Sequence, residues 1–164
     1  MVDIFIGIGS NINPKENISQ ACNLLEKKFP SIKFSRVFES ASIGFDGDNF
    51  LNLAGQFDFN EVESLDELIT SLKKIENQLG RQRGEKKFSA RTIDIDVLLF
   101  GDLITNSPIE LPRGEILENA YVLWPLSELA PDLKHPVNGK SYRELWDGFD
   151  KSLQNLAPLE QRES

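Results

Sequence analysis

Apolar and polar positions follow two different periods along this chain, and the two periods predict strands and helices in turn. Residues 2–8, VDIFIGI, are β-branched and apolar, which predicts a mostly buried strand. Apolar residues then recur at helical spacing over residues 18–29, behind an N-cap and a first-turn proline at Asn13-Pro14. Pro30 ends this first predicted helix.

Two further strand patterns and a long helix follow. Residues 32–38 and residues 50–59 alternate between apolar and polar, with a glycine-bearing loop between them. Ser64 and Glu67 have the spacing of a capping box. The apolar stripe behind them predicts the longest helix, with Gly80 at its C-terminal cap.

The last part of the chain predicts a strand at residues 92–100, a short strand or helix at 121–131 and a short helix at 141–147. The end, from about residue 151, is expected to be loosely held. The order βαββαβ predicts an α+β fold, a ferredoxin-like antiparallel sheet with packed helices, in a single domain over residues 1–164.

The charge balance narrows the kinds of partner. The net charge is −8, so a general nucleic-acid or anionic-membrane binder is not expected. Residues 81–91 nevertheless hold five cations and one anion, which leaves the rest of the chain at −12. A basic loop on an acidic body predicts a small polyanionic ligand held at one place. Cys22 is the single cysteine, which favours a reducing, cytoplasmic compartment and a core thiol.

Two aspartates in the strand at 92–100 are the strongest chemical signal. Asp94 and Asp96 are two residues apart, so their side chains project from the same face of the strand, while Ile95 and Leu99 are expected on the other. Two carboxylates on one face repel each other unless a cation compensates. Mg²⁺ prefers oxygen ligands and binds through one or two carboxylates plus substrate phosphates. Together with the basic loop, the pair predicts a magnesium–phosphate site.

Other interpretations of these residues fit less well. The aspartates alone are as consistent with a solvent-facing sheet surface that pairs with lysines. A nucleotidyltransferase would place Gly9-Ser10 much closer to the aspartates, and no Walker A lysine motif occurs. With one cysteine and one histidine, His135, a zinc site or a Ser–His–Asp triad is not expected, and His135 is predicted to be structural.

The segment from Phe88 to Asp96, FSARTIDID, resembles the central motif of the 6-hydroxymethyl-7,8-dihydropterin pyrophosphokinase family, usually written WGPRTLDLD. Further motifs of that family recur in the right order over nearly the whole chain. They are Ile8-Gly9-Ser10-Asn11, Phe50-Leu51-Asn52, Ile75-Glu76, Gly80-Arg81-Gln82-Arg83, Val122-Leu123-Trp124-Pro125-Leu126 and Ala130-Pro131-Asp132-Leu133.

The resemblance implies the reaction of that family. The β,γ-pyrophosphoryl group of ATP moves to the hydroxymethyl oxygen of the dihydropterin, with release of AMP, as a step of folate biosynthesis. It implies that Asp94 and Asp96 hold two Mg²⁺ ions, and that Arg81, Arg83 and Arg91 neutralise charge on the phosphates. Phosphoryl transfer is largely positioning and charge neutralisation, so no general base is required.

The resemblance also implies a pterin pocket and a small-molecule enzyme that acts as a monomer. A flat heterocycle is expected between aromatic rings. The residues at the family's pterin positions are Phe50, Tyr121, Asn52, Ser40, Ala41, Ile43 and, in place of the motif tryptophan, Phe88.

The loop that precedes residues 121–131 departs from the family pattern. The family writes a histidine where this chain has Arg113, and an arginine where it has Asn119. Three alternatives follow. In the first, Arg113 replaces the missing positive charge and the family reaction is retained. In the second, the chain is a divergent paralogue, which either acts on an altered substrate or binds pterin and nucleotide with little turnover. In the third, it is a non-catalytic domain, which would not need both aspartates. The first is the prediction adopted here.

Overall fold

The structure, a computed structural model, describes residues 3–40, 49–82, 93–153 and 156–159. In chain order the elements are β1 (Asp3–Ser10), α1 (Pro14–Lys28), β2 (Lys33–Phe34), β3 (Phe38–Ser40), β4 (Phe50–Asp58), α2 (Leu65–Gln82), β5 (Asp94–Phe100), α3 (Ala120–Leu129), α4 (Tyr142–Asp147) and β6 (Leu156–Pro158). Three short 3-10 helices lie at Phe59–Glu61, Gly114–Leu117 and Lys151–Leu153. None of the helices in these ranges is both long enough and apolar enough to cross a membrane.

The strands form one antiparallel sheet in the order β5-β1-β4-β3-β6, and β2 also pairs with β4. Strand β1 therefore lies between β5 and β4, which is the arrangement of a split βαβ fold. The predicted ferredoxin-like antiparallel sheet with packed helices is confirmed.

Both faces of the sheet are covered, and β1 shows how. Ile4, Ile6 and Ile8 are buried in the core that includes residues of α1 and α2. Phe5 points to the opposite face and joins a second core with residues of α3 and α4. Because side chains alternate along a strand, the next two positions on that second face are glycines, Gly7 and Gly9. Strand β1 therefore has no side chains on this face next to the start of α3.

A bulge in β5 changes one prediction. Ile6 pairs with Val97 but Phe5 pairs with Leu99, so Leu98 is an additional residue in the ladder. Leu98 and Leu99 both belong to the core under α3. The expectation that Leu99 lies on the face opposite to the aspartates was therefore wrong, because the bulge shifts the alternation by one residue.

The predicted strand at residues 32–38 is broken into β2 and β3. Between them Ser35 takes over part of the ladder: its amide donates to the Ala54 carbonyl at 2.9 Å, and its hydroxyl accepts from the Ala54 amide at 2.9 Å. A side chain that satisfies a backbone donor removes the need for regular pairing at that point.

Helix termini differ from the predictions at three places. Asn13 precedes α1 with φ 41° and makes no side-chain cap hydrogen bond, although Pro14 does begin the helix. The Ser64 hydroxyl accepts from the Glu67 amide, but the Glu67 carboxylate accepts from the Ser71 hydroxyl instead of closing a capping box. Gly80 does not end α2, which continues to Gln82.

The C-terminal part contains more structure than the sequence predicts. The apolar segment at 121–131 is helical, as α3, and α4 begins with a complete capping box between Ser141 and Glu144. Residues of β6 then pair with β3, with Ala157 opposite Glu39. A three-residue edge strand carries no periodicity that a sequence pattern can reveal.

Candidate active site

A pocket of about 230 Å³ opens where the two glycines leave the sheet bare. Strands β1, β3, β4 and β5 form its floor, and the start of α3 with the preceding 3-10 helix forms one wall. The residues that line it are Gly7, Ile8, Gly9, Ser40, Phe50, Asn52, Leu53, Ala54, Asp94, Asp96, Leu98, Glu115, Tyr121 and Val122.

Asp94 and Asp96 lie side by side on this floor. Asp94 is opposite Gly9 and Asp96 is opposite Gly7 in the β1–β5 ladder. Their neighbours across the ladder lack side chains, and both carboxylates border the pocket. Asp96 keeps 45% of its side-chain surface exposed, and Asp94 is exposed as well. This accounts for two acidic residues within an otherwise buried strand.

The outer edge of β5 is held by two side chains that are not part of the sheet. The Ile95 amide, between the two aspartates, donates to Glu76 Oε2 at 2.6 Å. Arg113 Nε donates to the Val97 carbonyl at 3.0 Å. An edge strand without such partners would leave its backbone groups unpaired, so both contacts fix the strand that carries the carboxylates.

Arg113 also reaches the acidic end of the pocket. Its guanidinium lies 3.8 Å from Asp96 Oδ1 and 3.8 Å from Glu115 Oε1. Both are ion pairs without hydrogen-bond geometry, and the Arg113 side chain is 26% exposed. A positive charge of the loop is therefore next to Asp96, at the sequence position where the resembled family has a histidine.

Asn52 fits into the space above Gly9. The two residues are opposite each other in the β1–β4 ladder. A β-carbon on Gly9 would lie 2.5 Å from Asn52 Nδ2, which is too close for two non-bonded atoms. Glycine at this position therefore allows the Asn52 amide to lie against the pocket floor. Ser40 and Phe50, which pair with each other across β3 and β4, border the same pocket.

Tyr121 brings an aromatic ring and a hydroxyl to the α3 wall. Asn119 Nδ2 donates to Tyr121 Oη at 3.0 Å. Burial raises the pKa of the Tyr121 hydroxyl, and the carboxylates of Glu115 and Asp96 raise it further, although the hydrogen bond from Asn119 acts in the opposite direction. The hydroxyl is consequently neutral at physiological pH.

The structure brings six of the sequence-predicted site residues to one pocket: Ser40, Phe50, Asn52, Asp94, Asp96 and Tyr121. Their functional roles stay predictions. Arg81 lies in the last turn of α2, where only the backbone is described. The predictions for Ala41, Ile43, Arg83, Phe88 and Arg91 fall outside the described residues.

Two acidic residues of this region were not predicted as site residues. Glu76 was noted only as part of a family motif, and its contact with β5 depends on tertiary packing that the motif does not reveal. Glu115 lies in a polar loop segment with no periodic signal, and only the fold brings it to the pocket.

The donor set at the pocket fits Mg²⁺. In the described ranges, no group of three or more histidine, cysteine or acidic side chains is arranged to bind a metal by itself. Asp94 and Asp96 supply carboxylate oxygens from one face of β5, and Glu115 lines the same pocket. A site with one or two carboxylates that relies on substrate phosphates for its other ligands is the usual arrangement for Mg²⁺ and not for a structural metal.

His135 lies outside this pocket, in the loop between α3 and α4. The side chain is buried, and its Nδ1 accepts from the amides of Val137 and Asn138 at 3.2 and 3.0 Å. Burial lowers its pKa. The imidazole holds the loop in place, as expected of a structural histidine.

Comparison with known proteins specifies the family of this chain, in which a split βαβ sheet carries paired carboxylates beside an aromatic pocket. Residues 5–131 match the 7,8-dihydro-6-hydroxymethylpterin-pyrophosphokinase family (HPPK). The chain belongs to this family, whose members are pyrophosphokinases of folate biosynthesis.

Curated relatives agree. The chain is 33% identical over 149 residues to the 2-amino-4-hydroxy-6-hydroxymethyldihydropteridine pyrophosphokinase of Aquifex aeolicus, which covers 88% of this chain and 90% of that protein. It is 33% identical over 147 residues to the enzyme of the same name from Pseudomonas aeruginosa, covering 87% and 88%. The folic acid synthesis protein FOL1 of Dictyostelium discoideum is 32% identical over 137 residues, which are 82% of this chain but 20% of that longer protein.

The fold has solved counterparts. A crystal structure of a Plasmodium falciparum HPPK-DHPS triple mutant with STZ-DHP superposes with a TM-score of 0.71 at 14% identity. The match covers 89% of this chain and 43% of that chain, so this chain spans less than half of the solved protein. At this identity the likeness supports the fold alone.

Proposed function

We propose that this chain transfers the pyrophosphoryl group of ATP to the hydroxymethyl oxygen of 6-hydroxymethyl-7,8-dihydropterin. The oxygen–Pβ bond forms, the bond from Pβ to the AMP oxygen breaks, and the alcohol proton is released. The observation that carries the proposal is the pocket that joins Asp94 and Asp96 to the aromatic rings of Phe50 and Tyr121. One end of it suits phosphates with their cations, and the other suits a flat heterocycle.

In this proposal Asp94 and Asp96 hold two Mg²⁺ ions. The ions would neutralise charge on the phosphates and orient them for in-line displacement. The chain itself contributes hydrogen bonds of Glu76 and Arg113 with the outer edge of β5, which support the strand that carries both carboxylates. ATP is further bound by the cations predicted at Arg81, Arg83 and Arg91.

The pterin is held by contacts of three kinds. The rings of Phe50 and Tyr121 cover its faces, and Phe50 keeps 37% of its surface exposed at the pocket. The Asn52 amide offers a donor and an acceptor to the polar edge of the heterocycle. Ser40, with the predicted Ala41, Ile43 and Phe88, completes the rim.

The test is incubation with ATP, Mg²⁺ and the dihydropterin alcohol, with nucleotide products separated by chromatography and the pterin product weighed by mass spectrometry. AMP and a pterin heavier by two phosphoryl groups are expected in equal amounts. Release of ADP would assign a different reaction. Asp96→Asn is the matched control, since it keeps the side-chain shape and removes the charge.

One observation favours a second candidate, a pterin- and nucleotide-binding protein with little turnover. Asn119 is at the family's arginine position and its amide bonds with Tyr121 instead of reaching phosphates. Tight binding of both ligands with no AMP release would support this candidate. We retain turnover as the main proposal because Arg113 supplies a cation next to Asp96.

The remaining proposals concern the oligomeric state of the protein and the cellular compartment in which it works. A monomer is expected, as the resemblance implies, and light scattering coupled to gel filtration tests it. A reducing cytoplasm suits the lone Cys22, whose pKa is raised to about 12 by burial and by Glu26, so that the thiol is unreactive.

A further inference from the structure

The hydroxyl of Tyr121 has a polar partner that a purely aromatic role does not require. Tyr121 is the second residue of α3, and its side chain lines the pocket. Asn119 Nδ2 donates to Tyr121 Oη at 3.0 Å. A phenylalanine would present the same ring to a heterocycle without this contact. Tyr121 therefore adds to the pocket a polar group that Asn119 holds by a hydrogen bond.

The Asn119 side chain makes this contact instead of capping the N-terminus of α3. It is the N-cap residue of α3, a position where an asparagine side chain ordinarily accepts a hydrogen bond from the first-turn amides. Here it makes no side-chain cap hydrogen bond and bonds with Tyr121 instead. The loop thus holds the hydroxyl in place at the expense of the helix cap.

The contact leaves the hydroxyl proton available. A tyrosine hydroxyl has one donor and two acceptor positions, and Asn119 uses one acceptor position. Within the described ranges no hydrogen bond takes up the proton of Tyr121 Oη. Burial and the Glu115 carboxylate raise the pKa of the group, so the proton stays on the oxygen. Tyr121 is set to donate to a ligand in the pocket.

The position of the hydroxyl indicates which ligand atom it meets. Asn119, which holds the hydroxyl, also donates its backbone amide to the Glu115 carbonyl at 2.9 Å. Glu115 lines the same pocket as Asp96, so the hydroxyl lies towards the acidic end of the pocket. Under the proposed function, that end receives the phosphates, and the pterin must present its reacting alcohol oxygen there. The pterin ring, by contrast, lies further along, between the aromatic side chains.

We infer that Tyr121 Oη donates a hydrogen bond to the alcohol oxygen of the substrate, so that this pocket selects pterins that carry an oxygen on the 6-methyl carbon. Asn119 is a positioning residue that orients the hydroxyl through the bond to Oη. The inference rests on the proposed function and adds a determinant of substrate choice to it.

The test compares two ligands and two proteins. Wild type and Tyr121→Phe are titrated by calorimetry with the hydroxymethyl dihydropterin and with its 6-methyl analogue, which lacks only the alcohol oxygen. Mg²⁺ and a non-hydrolysable ATP analogue are present throughout, so binding is measured without turnover. Tyr121→Phe is expected to weaken the alcohol about three- to tenfold, the range of one net hydrogen bond, and to leave the 6-methyl compound unchanged.

Asn119→Ala separates positioning from direct contact. It is expected to weaken the alcohol by a smaller factor than Tyr121→Phe, and to have no further effect when combined with Tyr121→Phe. A role for Asn119 in helix stability alone would instead lower the melting temperature and weaken both ligands equally, with or without the tyrosine hydroxyl.

The possible results distinguish a failure of this inference from a failure of the proposed function. Equal weakening of both ligands by Tyr121→Phe would place the hydroxyl on the pterin ring and overturn the inference, as would no change for either ligand. If wild type binds neither ligand, the proposed function fails and the inference falls with it. Binding by wild type together with a silent Tyr121→Phe overturns the inference alone.

Discussion

Gly9 and Asn52 are opposite each other across β1 and β4, and Asn52 Nδ2 lies where a β-carbon of residue 9 would come within 2.5 Å of it. The relationship links a backbone feature to the pocket. A side chain at residue 9 and the observed Asn52 rotamer exclude each other, so the glycine is required for the amide that we assign to the polar edge of the pterin.

Gly9→Ala is therefore expected to reduce pterin affinity at least tenfold, because the new methyl group displaces the Asn52 side chain. Gly7→Ala is the comparison on the same strand: it also adds a methyl group to the pocket floor, but its β-carbon would lie 3.4 Å from a Leu98 methyl group instead of meeting Asn52. Calorimetric titration with the dihydropterin measures both. A larger loss for Gly7→Ala than for Gly9→Ala would contradict the role given to Asn52.

Loss of either pocket carboxylate is expected to reduce turnover by more than tenfold, about 1.4 kcal/mol of barrier, and in practice to near the background. Asp94→Asn and Asp96→Asn keep the size of the side chain, and both positions border the pocket rather than the core, so the melting temperature is expected to stay close to that of wild type. Asp102→Asn, in the exposed turn after β5, is the control that removes a charge outside the pocket. AMP release is measured at saturating Mg²⁺ and ATP. Full activity of either pocket variant would contradict the metal assignment.

Phe50→Ala is expected to weaken pterin binding by about 1–3 kcal/mol through lost aromatic burial and stacking. ATP binding in the absence of pterin is expected to change little, because the proposed phosphate contacts lie at the aspartate end. Leu103→Ala, another exposed apolar residue but outside the pocket, serves as the control for non-specific effects. Equal losses for both ligands in Phe50→Ala would indicate a general change of the fold.

His135 gives a prediction about pH. Burial lowers the pKa of the native imidazole below its ordinary value near 6.5, so the unfolded chain binds the proton more readily. The contribution of neutral His135 to stability is complete above about pH 6.5 and is lost as the pH falls below it.

The measurement for His135 is thermal unfolding at pH 7.5 and pH 5.5. His135→Asn is a suitable comparison, because an asparagine oxygen can accept from the Val137 and Asn138 amides at any pH. The melting temperature of wild type is expected to fall more between the two pH values than that of the variant. Parallel changes in the two proteins would show that His135 does not titrate on unfolding in this range.

Periodicity and the order of the elements sufficed to predict an antiparallel sheet with packed helices. Asp94 and Asp96 could be placed on one face because strand alternation is strict over two residues. The same rule failed at Leu99, since the Leu98 bulge adds one residue to β5 and nothing in the apolar run LLF marks it. Local patterns predict the period of an element but not where tertiary packing interrupts it.

Side-chain partners from distant parts of the chain were the other limit. Glu76 reaches β5 from a helix about twenty residues earlier, and Glu115 enters the pocket from the short 3-10 helix Gly114–Leu117, which no periodicity in the sequence marks. Arg113 was predicted to replace a lost positive charge, but the sequence did not show its partners. The structure pairs it with Glu115 and with Asp96, both at 3.8 Å.

Arg113 has two tasks in the structure, and a pair of variants separates them. Nε donates to the Val97 carbonyl, which supports the β5 edge, and the rest of the guanidinium lies 3.8 Å from Asp96. Glutamine has its amide nitrogen at the same number of bonds from the backbone as arginine Nε. Arg113→Gln can therefore retain the contact with Val97 and remove the charge, whereas Arg113→Ala removes both.

We expect both variants to lower turnover at least tenfold, since a charge-assisted contact with a phosphate is worth about 1.5–3 kcal/mol. Only Arg113→Ala should also lower the melting temperature, because it leaves the Val97 carbonyl without its donor. Asn119→Arg in the Arg113→Gln background is expected to restore part of the turnover by returning a guanidinium to the same loop. If Arg113→Gln keeps wild-type turnover while Asn119→Arg alone raises it strongly, the loop of this chain has lost its phosphate-binding arginine, and a divergent protein that mainly binds its ligands becomes the better interpretation.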